Sequence, residues 1–237
     1  MHQMDKIMEA RNITNIVSVV DNKQAVRTAF FIKRLMDIVL SSLMSVFLAP
    51  LFAVVAFLIK LNSPGPVILK QTRVGKGGEN FTCYKFRSMV DSNDDTAHKN
   101  YIRELLQKES IIPKNAEPEK LFKLIDDPRI TSIGRLLRKT GIDELAQVFN
   151  VLKGDMSLVG PRPPIPYEVE MFDDWQKQKL AVMPGITSLW VVSGRNKLSY
   201  KEAIELDIEY IRSWSLWLDI KILLKTIPAV LIHQETG

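Results

Sequence analysis

"IVLSSLMSVFLAPLFAVVAFLI", residues 38 to 59, carries no charge along its whole length. A bilayer-spanning helix needs about 20 apolar residues, so the path of this run decides the fold. A secretory signal does not fit, because the run exceeds a signal's short apolar region, starts late and is not followed by a small-residue cleavage site. The default reading is one transmembrane helix, and two features oppose it. Pro50 lies near the middle, where a proline removes a helix hydrogen bond and kinks the backbone. Basic residues flank both ends, Lys33 and Arg34 before, Lys60, Lys70, Arg73 and Lys76 after, whereas a crossing helix keeps most of its lysines and arginines on the cytoplasmic side. A helix that enters, breaks at Ala49-Pro50 and returns to the same face satisfies both.

The whole chain can bury one sizeable core, or a core plus a membrane element. It has 237 residues, 46% of them hydrophobic, with a net charge of +5 and an isoelectric point near 9.2, a balance that favours anionic partners. The single cysteine, Cys83, excludes an internal disulfide, and His2, His98 and His233 lie too far apart in sequence to form a His/Cys metal constellation. "PVILKQTRVGKGGENFTCYKF" (66–86) predicts a β-hairpin with strands at 67–71 and 81–86 around Gly75-Lys76-Gly77-Gly78. Those glycines do not read as a phosphate loop, since no Gly-Lys-Ser/Thr follows. Helices are expected at 96–107, within a polar segment 91–126, and at 133–138, 143–152, 167–182 and 200–212. "WSLWLDIKILLKTIPAVLI" (214–232), with Trp214, Trp217, Lys221 and Lys225, suits an interfacial amphipathic helix; a core helix is the alternative. The fold class expected is α+β: a membrane hairpin at 31–60 and interfacial helices on a small catalytic domain at 61–237, preceded by a lead-in at 1–30.

"KTGIDELAQVFNVLKGDMSLVGPRP" (139–163) places Asp143 and Glu144 just ahead of a helix-forming run. Acids in a first helical turn often do no more than offset the macrodipole. Here Gly141 lets Arg138 fold back over them, and Arg162 is restricted by Pro161 and Pro163. Arginine forks match phosphate oxygens, so the group reads as a site for a metal-bound phosphate ester, the acids holding Mg²⁺ or attacking phosphorus. "PRPPIP" could instead be a polyproline ligand.

The ordered stretches "RKTGIDELAQVFNVLKGDMSLVGPRP", "MPGIT" (183–187), "VSGRN" (192–196) and "YKFRSM" (84–89) closely resemble the bacterial sugar transferases, the monotopic polyprenol-phosphate phosphoglycosyl transferases. The resemblance runs from about residue 32 to the C-terminus. It implies transfer of a sugar-1-phosphate from a UDP-sugar to undecaprenyl phosphate with release of UMP, at the cytoplasmic face of the inner membrane, through a monotopic re-entrant anchor. It implies Asp143 as nucleophile and Glu144 as its partner, both near Mg²⁺, with Arg138, Arg162 and Arg195 on phosphate; Lys85 and Arg87 of "YKFRSM" join these candidates. Well-studied members break the anchor helix at Ser-Pro where this sequence has Ala49-Pro50. Larger members carry an N-terminal multi-span module, and the expectation is that this chain has none. "SLWVVSGRN" and "WSLWLDI" look more like members that transfer hexose-1-phosphate than those moving acetamido sugars. Membrane lipid is an expected partner, nucleic acid is not, and self-association is left open. A non-enzymatic, membrane-anchored basic binding protein is the competing reading; it shares the anchor and charge but asks no chemistry of Asp143.

Overall fold

The computed structural model describes residues 23–90, 129–194 and 198–232. The whole 91–126 segment, with the helix expected at 96–107, and Arg195 lie outside the described residues. The apolar run belongs to a longer helix, α1 (Lys23–Asn62), which begins before residue 31 and contains Pro50. By length and composition α1 suits a membrane, and only 11% of its most apolar window is covered by the rest of the chain.

Both arms of α1 nevertheless pack on the same folded unit. Before Pro50, Leu40 and Met44 join the cluster of Val151, Met156, Leu158 and Ile222. After it, Leu51, Phe52, Val55 and Ile59 pack with Phe86, Leu137 and Ala146, and Phe52 meets both Phe86 and Phe149. Between the arms Phe47 is 79% exposed. Pro50 has no N–H to offer the Val46 carbonyl, a local weakness in the helix ladder. No serine precedes Pro50, but Ser45 donates its hydroxyl to the Ser41 carbonyl at 2.8 Å, the kind of back-bond that bends helices.

A polar lock fixes the first arm. Lys33 Nζ reaches Asp219 Oδ2 at 2.6 Å and the Val159 carbonyl at 3.0 Å. Tyr210 donates to Asp219 Oδ1 and Trp214 Nε1 to its Oδ2, while Asp37 accepts from the Leu158 N–H. Arg34 donates to the Val151 and Leu152 carbonyls at the end of a short helix, where a cation also meets the negative pole of the dipole.

The hairpin forms as expected, β1 (Ile68–Val74) antiparallel to β2 (Asn80–Phe86), with Gln71 opposite Cys83 and a 3₁₀ turn at Lys76–Gly78. Helix α2 (Ser132–Thr140) follows, capped at its start by Thr131 and ended by Gly141 in the left-handed region, φ 70°. A β-carbon is disfavoured there, which fixes this glycine's place.

The expected helix at 143–152 is divided: a 3₁₀ segment, Ile142–Gln147, leads into α3 (Val148–Lys153). The expected helix at 167–182 is also corrected. Pro166 opens α4 (Pro166–Glu170), and a 3₁₀ segment resumes at Gln176–Ala181. The restart comes from reciprocal bonds, Gln176 N–H to Asp173 Oδ1 and Asp173 N–H to Gln176 Oε1. Helix α5 (Leu189–Ser193) and a parallel strand pair, β3 (Ser157–Val159) and β4 (Gly185–Thr187), were not foreseen in the sequence. The pair explains two motif glycines: a β-carbon on Gly160 would sit 2.4 Å from the Met183 carbonyl oxygen, and one on Gly185 2.1 Å from the Gly160 nitrogen. "LVGPRP" and "MPGIT" are two backbones in contact.

Helix α6 (Tyr200–Ser213) starts with a Ser199–Glu202 capping box. Helix α7 (Leu216–Ile232) buries Asp219 and Ile222 and exposes Trp217, Ile220, Leu224 and Ile227. It serves the core with one face and leaves an apolar face uncovered.

Candidate active site

The acid pair sits on the 3₁₀ segment, not on an α-helix, and this segment packs on β2. Asn150, wholly buried, clamps α3 to the same strand: its Nδ2 donates to the Thr82 carbonyl at 2.6 Å and its Oδ1 accepts from the Tyr84 N–H at 2.9 Å. The clamp holds the turn bearing Asp143 and Glu144 against Lys85. Lys85 Nζ contacts Glu144 Oε1 at 3.0 Å, with the lysine side chain largely covered and the carboxylate partly open. Asp143 is 7% exposed.

The arginines divide by what they already hold. Arg138, on the last turn of α2, has a buried Nη1 with no hydrogen-bond partner among the described residues. An unsatisfied buried donor is costly, and a phosphate oxygen would satisfy it. Arg162 faces a cleft next to Glu168 and Asp207. Burial opposes its charge, but Glu168 and Glu144 more than offset that, so its pKa is raised. Arg87 differs. Its Nη1 donates to the Pro64 carbonyl, and its Nη2 to the carbonyl and hydroxyl of Ser63. Its terminal nitrogens hold the exit of α1 and are already committed to backbone and serine oxygens, whereas its Nε is buried without a hydrogen bond among the described residues.

Several residues escaped the sequence reading. Arg73, buried on β1, donates to the Pro163 carbonyl at 2.9 Å and to Gln71 Oε1, fixing the Pro-Arg-Pro turn from beneath. Burial and then the neighbouring Arg162 lower its pKa. Glu168 Oε2 accepts from the Ile165 N–H at 2.7 Å, and Asp207 pairs with Lys179 at 2.9 Å. Burial pushes the Asp207 carboxyl up, opposed by Lys179. No motif signals Arg73 on Pro163 or Lys179 on Asp207, because these join elements distant in sequence, whereas the Glu168–Ile165 bond is a local capping contact at the start of α4.

Residues 28–233 match the family model of the bacterial sugar transferases. The chain belongs to that family. It is 45% identical over 212 residues to the undecaprenyl-phosphate galactose phosphotransferase of Salmonella typhimurium, covering 90% of this chain and 43% of that protein. Over 170 residues it is 49% identical to the galactosyl transferase CpsE of Streptococcus agalactiae, 71% of this chain and 35% of the relative. Over 202 residues it is 38% identical to the exopolysaccharide production protein ExoY of Sinorhizobium fredii, 85% and 86% of the two chains. The chain thus spans less than half the length of the first two relatives. Among the described residues no group of three or more His, Cys, Asp or Glu side chains is placed to hold a metal. Two adjacent carboxylates still fit Mg²⁺, which typically takes one or two protein carboxylates and completes its shell with phosphate oxygens and water.

Proposed function

We propose that this transferase moves a hexose-1-phosphate, with galactose the first donor sugar to test, from a UDP-sugar to undecaprenyl phosphate, as the first membrane step of surface polysaccharide assembly. The reading is carried by adjacent Asp143 and Glu144 on one rigid turn, beside an arginine whose buried Nη1 has no bonding partner among the described residues. The first relative's name supplies the galactose and the acceptor.

Asp143 attacks the phosphorus that bears the sugar. The bond from that phosphorus to the bridging oxygen breaks, and UMP leaves with the oxygen. A phosphate oxygen of undecaprenyl phosphate then attacks the same phosphorus and returns the carboxylate to Asp143. Splitting the transfer lets a water-borne donor and a membrane-borne acceptor use one small site in turn. Arg138 and Arg162 screen the repulsion between carboxylate and diphosphate, and Lys85 orients Glu144. Mg²⁺, held by Asp143 and Glu144 with the donor's phosphate oxygens, would add charge neutralisation at the leaving group.

Intact-protein mass spectrometry with donor alone tests the step. The wild type is expected to gain one sugar-phosphate, and Asp143→Asn to gain nothing and release no UMP. An Asn variant that still turns over makes Asp143 a metal ligand only.

The anchor enters and leaves the membrane on its cytoplasmic face. Support comes from the packing of both arms on one unit, with the exposed region around Phe47 between them. Cys83 is buried, so single cysteines at positions 31 and 66 can be labelled from outside intact cells against a quiet background. Neither is expected to react; reaction at 66 alone indicates a crossing helix.

A further inference from the structure

Beside Arg162 lies a small cleft of about 20 Å³ that opens to solvent, lined by Glu168, Lys179, Trp190, Tyr200 and Asp207 as well as Arg162. Its acids have unused capacity. Glu168 is 2% exposed and commits Oε2 to the Ile165 N–H, leaving Oε1 without a hydrogen bond. Asp207, also 2% exposed, gives Oδ2 to Lys179, and its Oδ1 has no hydrogen bond of good geometry; only the Arg162 backbone N–H lies against the carboxylate.

Two basic and two acidic side chains line the cleft, so it carries no net charge to attract a free cation or anion. Although Arg162, Lys179 and Tyr200 line the same cleft, none gives a hydrogen bond to Glu168 Oε1, so the desolvation of that buried oxygen is uncompensated. A phosphate brings no donor. Hydroxyl groups do, and Trp190 adds an apolar wall for the C–H face of a ring. The cleft is narrow and takes the edge of a ring, not a whole one. Arg162 lines this cleft and also feels the charges of Glu144 and Glu168.

We infer that the cleft is the subsite for a hydroxyl-bearing edge of the donor, with Glu168 and Asp207 accepting from a vicinal diol. The inference rests on the reading that the donor is a nucleoside diphosphate sugar. Ribose and hexose both carry such diols, and the test separates them.

Full-length protein in detergent is titrated calorimetrically with UDP-galactose, with its 2′-deoxyuridine counterpart and with counterparts lacking single galactose hydroxyls, UMP release being followed in parallel. Glu168→Gln keeps an oxygen for the Ile165 N–H but replaces the free acceptor with a donor; Asp207→Asn is read the same way should the first variant melt early. The wild type is expected to lose about ten- to a hundredfold in affinity for the counterpart lacking the bound hydroxyl. Glu168→Gln is expected to show that loss with UDP-galactose itself and little more with the counterpart. Coupling to the 2′-deoxyuridine compound assigns the cleft to ribose, and coupling to a deoxygalactose compound assigns it to the hexose. Losses that simply add for every counterpart, or unchanged affinity in both variants, overturn the inference. Binding without UMP release overturns the transferase reading while the coupling pattern still decides the cleft.

Discussion

Two buried charged clusters in this protein are built from the same residue types and differ in how completely they are bonded. In the anchor cluster, Lys33 reaches Asp219 and the Val159 carbonyl, Arg34 binds two carbonyls, and Asp219 accepts from Lys33, Tyr210 and Trp214. In the candidate-site group, Arg138 Nη1 and Glu168 Oε1 are buried without hydrogen bonds among the described residues. A saturated cluster fixes geometry. An unsaturated one stores desolvation that a ligand can relieve, although an unbonded atom does not by itself mark a ligand site, since Arg87 Nε and Ser41 Oγ are buried without hydrogen bonds too.

The sharpest break of that comparison is Asp219→Leu, which leaves Lys33 buried without its acid. Loss of one partner from such a pair costs about 3–5 kcal/mol, read as an early thermal melt of the detergent-solubilised chain. Adding Lys33→Met should recover most of it. A melt unchanged by Asp219→Leu alone would remove the anchor cluster's structural role.

Next in size, Arg162→Lys should lower kcat/KM by about 10²- to 10³-fold, the usual effect of losing one preorganised donor at developing charge, with the melt hardly moved. Arg138→Lys is expected to behave alike. A large drop in melting temperature with activity kept per folded molecule would place either arginine among the scaffold residues.

Arg87→Lys is the smallest. A lysine cannot span the Pro64 carbonyl and both Ser63 oxygens, so stability should fall by about 1–3 kcal/mol while activity per folded molecule stays near wild type. Activity lost at unchanged stability would return Arg87 to the phosphate site.

The β-hairpin, α2, α6 and the apolar anchor helix were legible because each is encoded locally: alternation around glycines, a Thr131 cap, a Ser199–Glu202 box, an uncharged run. The acid pair and its arginines were legible as a motif. The helix expected at 167–182 was misjudged because the Asp173–Gln176 bonds restart the backbone within a sequence of helical periodicity, and the one expected at 143–152 begins as a 3₁₀ segment before α3. Arg87 stood beside Lys85 among the phosphate-binding candidates of "YKFRSM", and the two side chains hold different parts of the chain.

The sequence by itself determined the hairpin, α2, α6, the long apolar helix, the family and the candidate residues of the chemistry, since these rest on spacing, propensity and motif order. Tertiary structure alone decided which charges are free to act. Arg73 beneath Pro163, Asn150 across β2, Lys179 on Asp207 and Lys33 on Asp219 join residues far apart in the chain. Hydrogen-bond saturation depends on distance in space, which periodicity does not encode.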